Sequence, residues 1–103
     1  MTVSLDTIMQ DARAAIITLT EEAKQTRAEL AELDRTITEC RLPFLPAGDD
    51  MKKLPPHERE WIMQAYAQHA KDQARQSGMS KRLDFIEREI SHWQERITIA
   101  QRR

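Results

Sequence analysis

The placement of proline is the feature that most constrains the fold of this chain. All four prolines fall between residues 42 and 56, and they are Pro43, Pro46, Pro55 and Pro56. Proline removes a backbone hydrogen-bond donor and disfavours helix at the residue before it. Residues 42–56 are therefore predicted to form a connector, and both segments outside it have the residue spacing of helices.

The first half carries mostly apolar side chains at intervals of three and four residues, the pattern of one face of a helix. The series is Leu5, Ile8, Ala12, Ala15, Leu19, Ala23, Thr26, Leu30, Leu33, Ile37 and Cys40. A second interval of four, from Leu19 to Ala23, is a stutter, and Thr20 with Glu21 resembles a new helix start. Periodicity favours one continuous helix over about 4–41, capped by Ser4.

The second half reads as helix 2 over about 57–77 and helix 3 over about 80–102. Gly78 followed by Ser80 favours a break between them. The apolar series of the last segment is Leu83, Ile86, Ile90, Trp93, Ile97 and Ala100. Projected backwards, the same register reaches Met79, Gln76, Asp72, His69, Ala65 and Ile62. A single helix through Gly78 is therefore the alternative, because glycine within a helix costs only about 1 kcal/mol.

These patterns predict one all-α domain over residues 1–103. The expected architecture is an antiparallel, coiled-coil-like helical hairpin, or a three-helix arrangement if Gly78 breaks the chain. Charge favours the antiparallel orientation: residues 1–41 hold 5 basic and 8 acidic side chains, a balance of −3, and residues 79–103 hold 6 and 4, a balance of +2. Exposed ion pairs contribute little stability, so charge selects the orientation only.

Apolar side chains beside the main series favour a homodimer that forms a helical bundle. Met9 and Ile16 widen the apolar face, and Ile17 points elsewhere, so one facing helix would not cover them. The predicted dimer seam consists of Ile8, Met9, Ile16, Ile17 and Leu19. Two-fold dimers are the commonest oligomers, and a small core leaves stability to be gained by association.

No pattern for catalysis, a cofactor or a metal is found. The candidate ligands Cys40, His57, His69 and His92 lack the spacing that would place two of them on one helix face. Phosphate-binding and nucleophile motifs are absent from the sequence. Cys40 is expected to be a packed small residue, and as the only cysteine it favours a reducing, cytoplasmic location. No signal peptide, membrane-spanning segment or small-molecule substrate is expected.

A basic stripe on the last helix points to a second class of function. Its members are Lys81, Arg88, His92, Arg96 and Arg103. Such a stripe tracks phosphates when it binds nucleic acid. Asp84, Glu89 and Glu95 flank it, and no aromatic residue was identified on that face for base stacking. The net charge of −1 also argues against a general nucleic-acid binder, so this is the less favoured hypothesis.

The connector is long for a helical hairpin, whose loops usually run about 2 to 8 residues. It is either a cap that folds back over Trp61 and the end of the hairpin or a preformed recognition element that its prolines stiffen. The predicted partner-binding residues are Phe44, Leu45, Asp49, Asp50, Met51 and Trp61. We therefore expect a non-enzymatic protein-interaction module that regulates, inhibits or adapts an unidentified protein, with a dimeric nucleic-acid regulator as the alternative.

Overall fold

The computed structural model describes residues 4–102, and every regular element within that range is an α-helix. Helix α1 spans Leu5–Glu39, a short α2 spans Asp49–Lys52, and α3 spans Pro56–Gln101. The two long helices pack against each other, which confirms the all-α helical hairpin. Helix α1 passes Thr20 without interruption, as its periodicity predicted.

Helix α3 is one helix across Gly78, so the structure has the continuous alternative and not the separate helices 57–77 and 80–102. The physical reason is that the apolar series of α3 continues in one register on both sides of Gly78. Each of the twelve positions in the projected series, from Ile62 to Ala100, is half-buried or buried. Packing along this unbroken face outweighs the low helix propensity of one glycine.

Contacts divide the chain into two compact units. The first unit comprises Met1–Leu30 and Met79–Arg103, and the second comprises Ala31–Gly78. In the first unit the start of α1 lies beside the end of α3, so the helices run antiparallel there. Leu5 and Ile8 line one groove together with Ile99.

The core of the first unit is made of small and branched side chains. Ala12, Ala23 and Ile86 are buried. Thr26 is buried as well, and its hydroxyl donates to the Glu22 carbonyl in the preceding turn at 2.8 Å. This bond satisfies the hydroxyl within its own helix and allows threonine at a core position.

Two ion pairs join α1 to α3 in the first unit. Arg27 Nη2 lies 2.8 Å from Glu87 Oε1, and Arg82 pairs with Glu22. The two bridges run in opposite directions, from α1 base to α3 acid and from α3 base to α1 acid. All four side chains keep a third or more of their surface in solvent, so the bridges orient the helices more than they stabilise them.

The second unit has its own small core. Leu33 of α1 and Ile62 of α3 are buried, and the Gln76 amide donates to the Asp34 carboxylate. Later residues of α1 thus meet earlier residues of α3, as in an antiparallel pair. Cys40 lies just after the end of α1 and is exposed, so the prediction that it packs in the core is wrong.

Candidate functional site

The connector contains one turn of helix that the proline pattern did not predict. Gly48 precedes α2 with φ of 55°, in the left-handed region that favours glycine. Asp49 and Asp50 open the turn and are exposed. Their carboxylates lie 3.8 Å from Lys52 Nζ and 3.7 Å from Lys53 Nζ, respectively. The two acidic residues are thus balanced locally by lysines instead of forming an uncompensated acidic tip.

A single hydrogen bond ties the connector to α3. The Tyr66 hydroxyl donates to the Pro43 carbonyl at 2.8 Å, and the contact is partly buried. The peptide bond that leads into Phe44 therefore has a fixed attachment point. Pro43 and Pro46, both half-buried, further restrict the backbone on either side of Phe44 and Leu45.

The anchored segment presents apolar side chains to solvent. Phe44 is 85% exposed and Leu45 is exposed as well, whereas Met51 is half-buried. Trp61 is also 61% exposed, so the connector does not cover Trp61 as the cap interpretation expected. Pro43 and Pro46 of the connector are half-buried, Pro55 and Pro56 are exposed, and the one aromatic side chain of the connector, Phe44, faces solvent.

Met63 is an exposed side chain that the sequence analysis did not single out. It follows the buried Ile62 directly, so helical geometry turns it about 100° away from the core. Tyr66 comes three residues later and shares a face with Met63. The hydrogen bond from Tyr66 therefore brings the connector to the Met63 side of α3. Trp61 lies about 200° around the helix from Met63, so it belongs to a different side.

The residues of the predicted dimer seam lie on different sides of α1. Ile8 and Ile17 are nine residues apart, which is about 180° on a helix, and Ile17 is 70% exposed. Met9, Ile16 and Leu19 are half-buried within the chain. The five side chains consequently do not form one seam.

Ile8 instead belongs to a groove that includes residues of α3. The groove has a volume of about 400 Å³. We call it the terminal groove. Its lining residues are Leu5, Ile8, Arg96, Ile99 and Ala100. Leu5, Ile8 and Ile99 are between 43% and 47% exposed. The sequence did not predict Ile99 as a site residue because it lies outside the main apolar series of α3.

Within the described range, the basic stripe consists of Lys81, Arg88, His92 and Arg96, and all four are exposed. Arg103 lies outside the described residues. The carbon of the Arg96 guanidinium lies 5.0 Å from the Trp93 ring centroid, a cation–π contact that draws Arg96 along its own helix.

The prediction that this face lacks an aromatic residue is wrong. Phe85 is 55% exposed and stands four residues after Lys81 and three before Arg88, which places it among the basic side chains. Acidic groups are equally close: Asp84 and Glu87 line a shallow depression together with Arg88 and Ser91. The face is therefore mixed in charge, with one exposed aromatic ring.

Among residues 4–102 no three His, Cys, Asp or Glu side chains form a group suited to holding a metal ion. His57 and His92 are exposed, and His69 is half-buried. In the same range no helix combines the length and the apolar character needed to cross a membrane.

Comparison of the chain with protein-family models, with curated proteins and with solved structures finds no match. The exposed surfaces described above are thus the basis on which a function can be proposed.

Proposed function

We propose that this chain is a non-enzymatic protein-interaction module whose partner binds the connector. The contact surface, here called the connector surface, consists of Phe44, Leu45 and Met63. The observation that carries the proposal is the exposure of Phe44, 85%, on a backbone that the Tyr66 hydroxyl holds in place.

The energetics of binding favour such an arrangement. Aromatic side chains and methionine are enriched in protein interfaces, and a few buried aromatic anchors carry most of the binding energy. A segment that is already ordered loses less conformational entropy when it binds. Phe44 combines both properties, because prolines precede and follow it within two residues and its neighbour is hydrogen-bonded.

The remaining predicted residues have secondary roles in this proposal. Asp49 and Asp50 are exposed and already pair with lysines, so we assign them a polar role beside the apolar contact and not a part in it. Met51 is half-buried and is therefore less available to a partner than Phe44. Trp61, on another side of α3, is a separate anchor for a partner that extends around the helix.

Regulation, inhibition or adaptation of the partner is the class of activity that suits a small helical module of this kind. A cytoplasmic location remains part of the proposal, resting on Cys40 as the only cysteine. No catalytic step is assigned to any residue.

Site-specific photo-cross-linking in an extract of the native host tests the connector surface. A photoreactive benzoylphenylalanine replaces Phe44 in one variant and Ile17 in the other, since both positions are well exposed. We expect Phe44→benzoylphenylalanine to give a discrete adduct with one protein. The adduct should be competed by the unlabelled chain and not by Phe44→Ala or Met63→Ala.

The control at Ile17 should give no such adduct. Equal competition by the unlabelled chain and by Phe44→Ala would contradict the proposal, as would the same adduct at both positions. If Trp61→Ala were the only variant that failed to compete for the adduct, the contact would lie on the other side of α3.

Exposed Phe85 within the basic stripe supports nucleic-acid binding as a second candidate function. Base stacking on an aromatic ring beside Lys81 and Arg88 is a known mode of single-strand binding. The carboxylates of Asp84 and Glu87 weaken the local positive potential, so this candidate ranks second.

A gel-shift titration with single- and double-stranded oligonucleotides at low salt separates the candidates. Nucleic-acid binding requires an affinity that falls steeply with salt and is lost in Arg88→Glu. It also requires that Phe85→Ala lose affinity for the oligonucleotide and that Phe44→Ala retain it. If the first proposal holds, micromolar protein should not shift the oligonucleotides in the gel. The cross-linker at position 44 should also give the same adduct when the chain carries Arg88→Glu.

A further inference from the structure

We propose that the terminal groove is the contact surface of a homodimer, in which a second copy of this chain packs on Leu5, Ile8 and Ile99. The surface lies in the first unit and is separate from the connector surface, which lies in the second. Its three large aliphatic side chains each leave between 43% and 47% of their surface in solvent. They pack on their own chain on one side and remain open on the other, as expected for a helix pair that lacks its second layer.

The amount of exposed surface supports an additional partner. The chain exposes 8187 Å², whereas a folded monomer of 12.0 kDa is expected to expose about 6,000 Å². The difference is roughly 2,000 Å². Each partner in an interface of standard size contributes about 800 Å². The excess belongs to a pair of long helices without a second layer, and it is larger than the area that one self-contact of standard size covers on each copy.

A second copy is the occupant that the groove fits best. Leu5 and Ile8 of α1 and Ile99 of α3 line the groove and are each a little under half exposed, so a two-fold axis through the groove would place apolar side chains of one copy against those of the other. Asp84 and Glu87 lie among the basic side chains of this part of α3, so the local charge that two copies bring together is mixed and not uniformly basic. Arg96, the charged residue of the groove, is exposed and stacks on Trp93 within its own chain, so we place its guanidinium at the solvent-facing edge of the contact.

Phe85 extends the same side of α3. It stands fourteen residues before Ile99, which is within about 40° of the same direction on a helix. A dimer that covers this side explains the exposure of Phe85 without nucleic acid. The proposed contact thus keeps Ile8 from the dimer seam predicted from the sequence. It leaves out Ile17 and adds residues of α3.

Sedimentation equilibrium of the full chain across the micromolar range tests the dimer. We expect a mass of about 24 kDa, twice the 12.0 kDa of the chain. Ile8→Glu or Ile99→Glu should raise the dissociation constant by at least about a hundredfold, because each buries a charge twice in the interface. Ile17→Glu is the matched control on the opposite side of α1 and should remain dimeric.

Circular dichroism shows whether each variant is folded. If a glutamate variant unfolds, Ile99→Ala replaces it and should raise the dissociation constant about tenfold. A wild-type mass of one chain throughout the range overturns the proposal, as does an unchanged constant in Ile99→Ala or dissociation by Ile17→Glu. Phe44→Ala should leave the dimer intact, so failure of the dimer and failure of the connector surface are distinguishable.

Discussion

At the scale of single residues, Ile86 has the largest side chain that is almost completely enclosed in the described part of the chain, with 2% exposure. We expect Ile86→Ala to lower the free energy of unfolding by about 2–5 kcal/mol, because it removes buried apolar atoms and leaves a cavity. Urea denaturation followed by circular dichroism measures the change. Ile17→Ala, at a position that is 70% exposed, should change stability by less than about 0.5 kcal/mol. Equal effects of the two substitutions would contradict the assignment of the core.

Gly48 is a second residue whose identity matters locally. Its φ of 55° is strained for residues with a Cβ, although no atom within 4 Å would contact that Cβ. Gly48→Ala should therefore destabilise by about 1 kcal/mol through backbone strain alone. Gly48→Asn should cost a similar amount, because ψ of −123° places Gly48 outside the left-handed helical region that asparagine tolerates. Thermal unfolding measures both variants, and a stabilising Gly48→Ala would refute the strained conformation.

At the scale of elements, Gly78 in the middle of α3 is a glycine whose replacement should stabilise the protein, in contrast to Gly48. It is exposed, and a Cβ there would meet nothing within 4 Å. Gly78→Ala should stabilise the protein by about 1 kcal/mol, because alanine has a higher helix propensity and restricts the unfolded chain. The reciprocal control Ala74→Gly, also exposed in α3, should destabilise by a similar amount. A melting temperature lowered by Gly78→Ala would show that α3 is interrupted at this position.

The connector depends on the bond between Tyr66 and Pro43. Tyr66→Phe removes the donor and leaves a partly buried carbonyl unpaired, which should cost about 1 kcal/mol. Chymotrypsin should then cleave after Phe44 faster than in the wild type. Thr36→Ala removes a hydroxyl that bonds only within α1 and should leave the cleavage rate unchanged. An unchanged rate in Tyr66→Phe would mean that the hydrogen bond does not hold the connector.

At the scale of the whole molecule, the small core makes association the natural source of stability. Six side chains in the described range are buried, and two of them are alanines. If the chain dimerises at the terminal groove, its melting temperature should rise with protein concentration. Calorimetry at two concentrations a decade apart measures this shift. Ile99→Glu should abolish the concentration dependence, whereas a wild-type melting temperature independent of concentration would contradict the dimer.

The sequence alone was sufficient to predict the two long helical segments and the side that each one buries, but not α2 or the pairing of residues between α1 and α3. The spacing of apolar residues is a local property, and it correctly identified the buried side of α1 and of α3, including polar members such as Gln76 and Asp72. It also carried the register past Gly78, although the strength of a glycine as a helix break was overestimated. Both results follow from the 3.6-residue repeat, which depends on the chain itself.

Only the tertiary structure decided which of the remaining apolar side chains stay exposed. Phe44, Met63, Phe85 and Ile99 lie outside the main series, and a repeat does not show whether another element covers them. Their exposure depends on how segments distant in sequence come together, such as Tyr66 with Pro43 through a hydrogen bond and Ile8 with Ile99 in one groove. A periodic pattern is a property of one helix, whereas a surface is a property of all the segments that surround it.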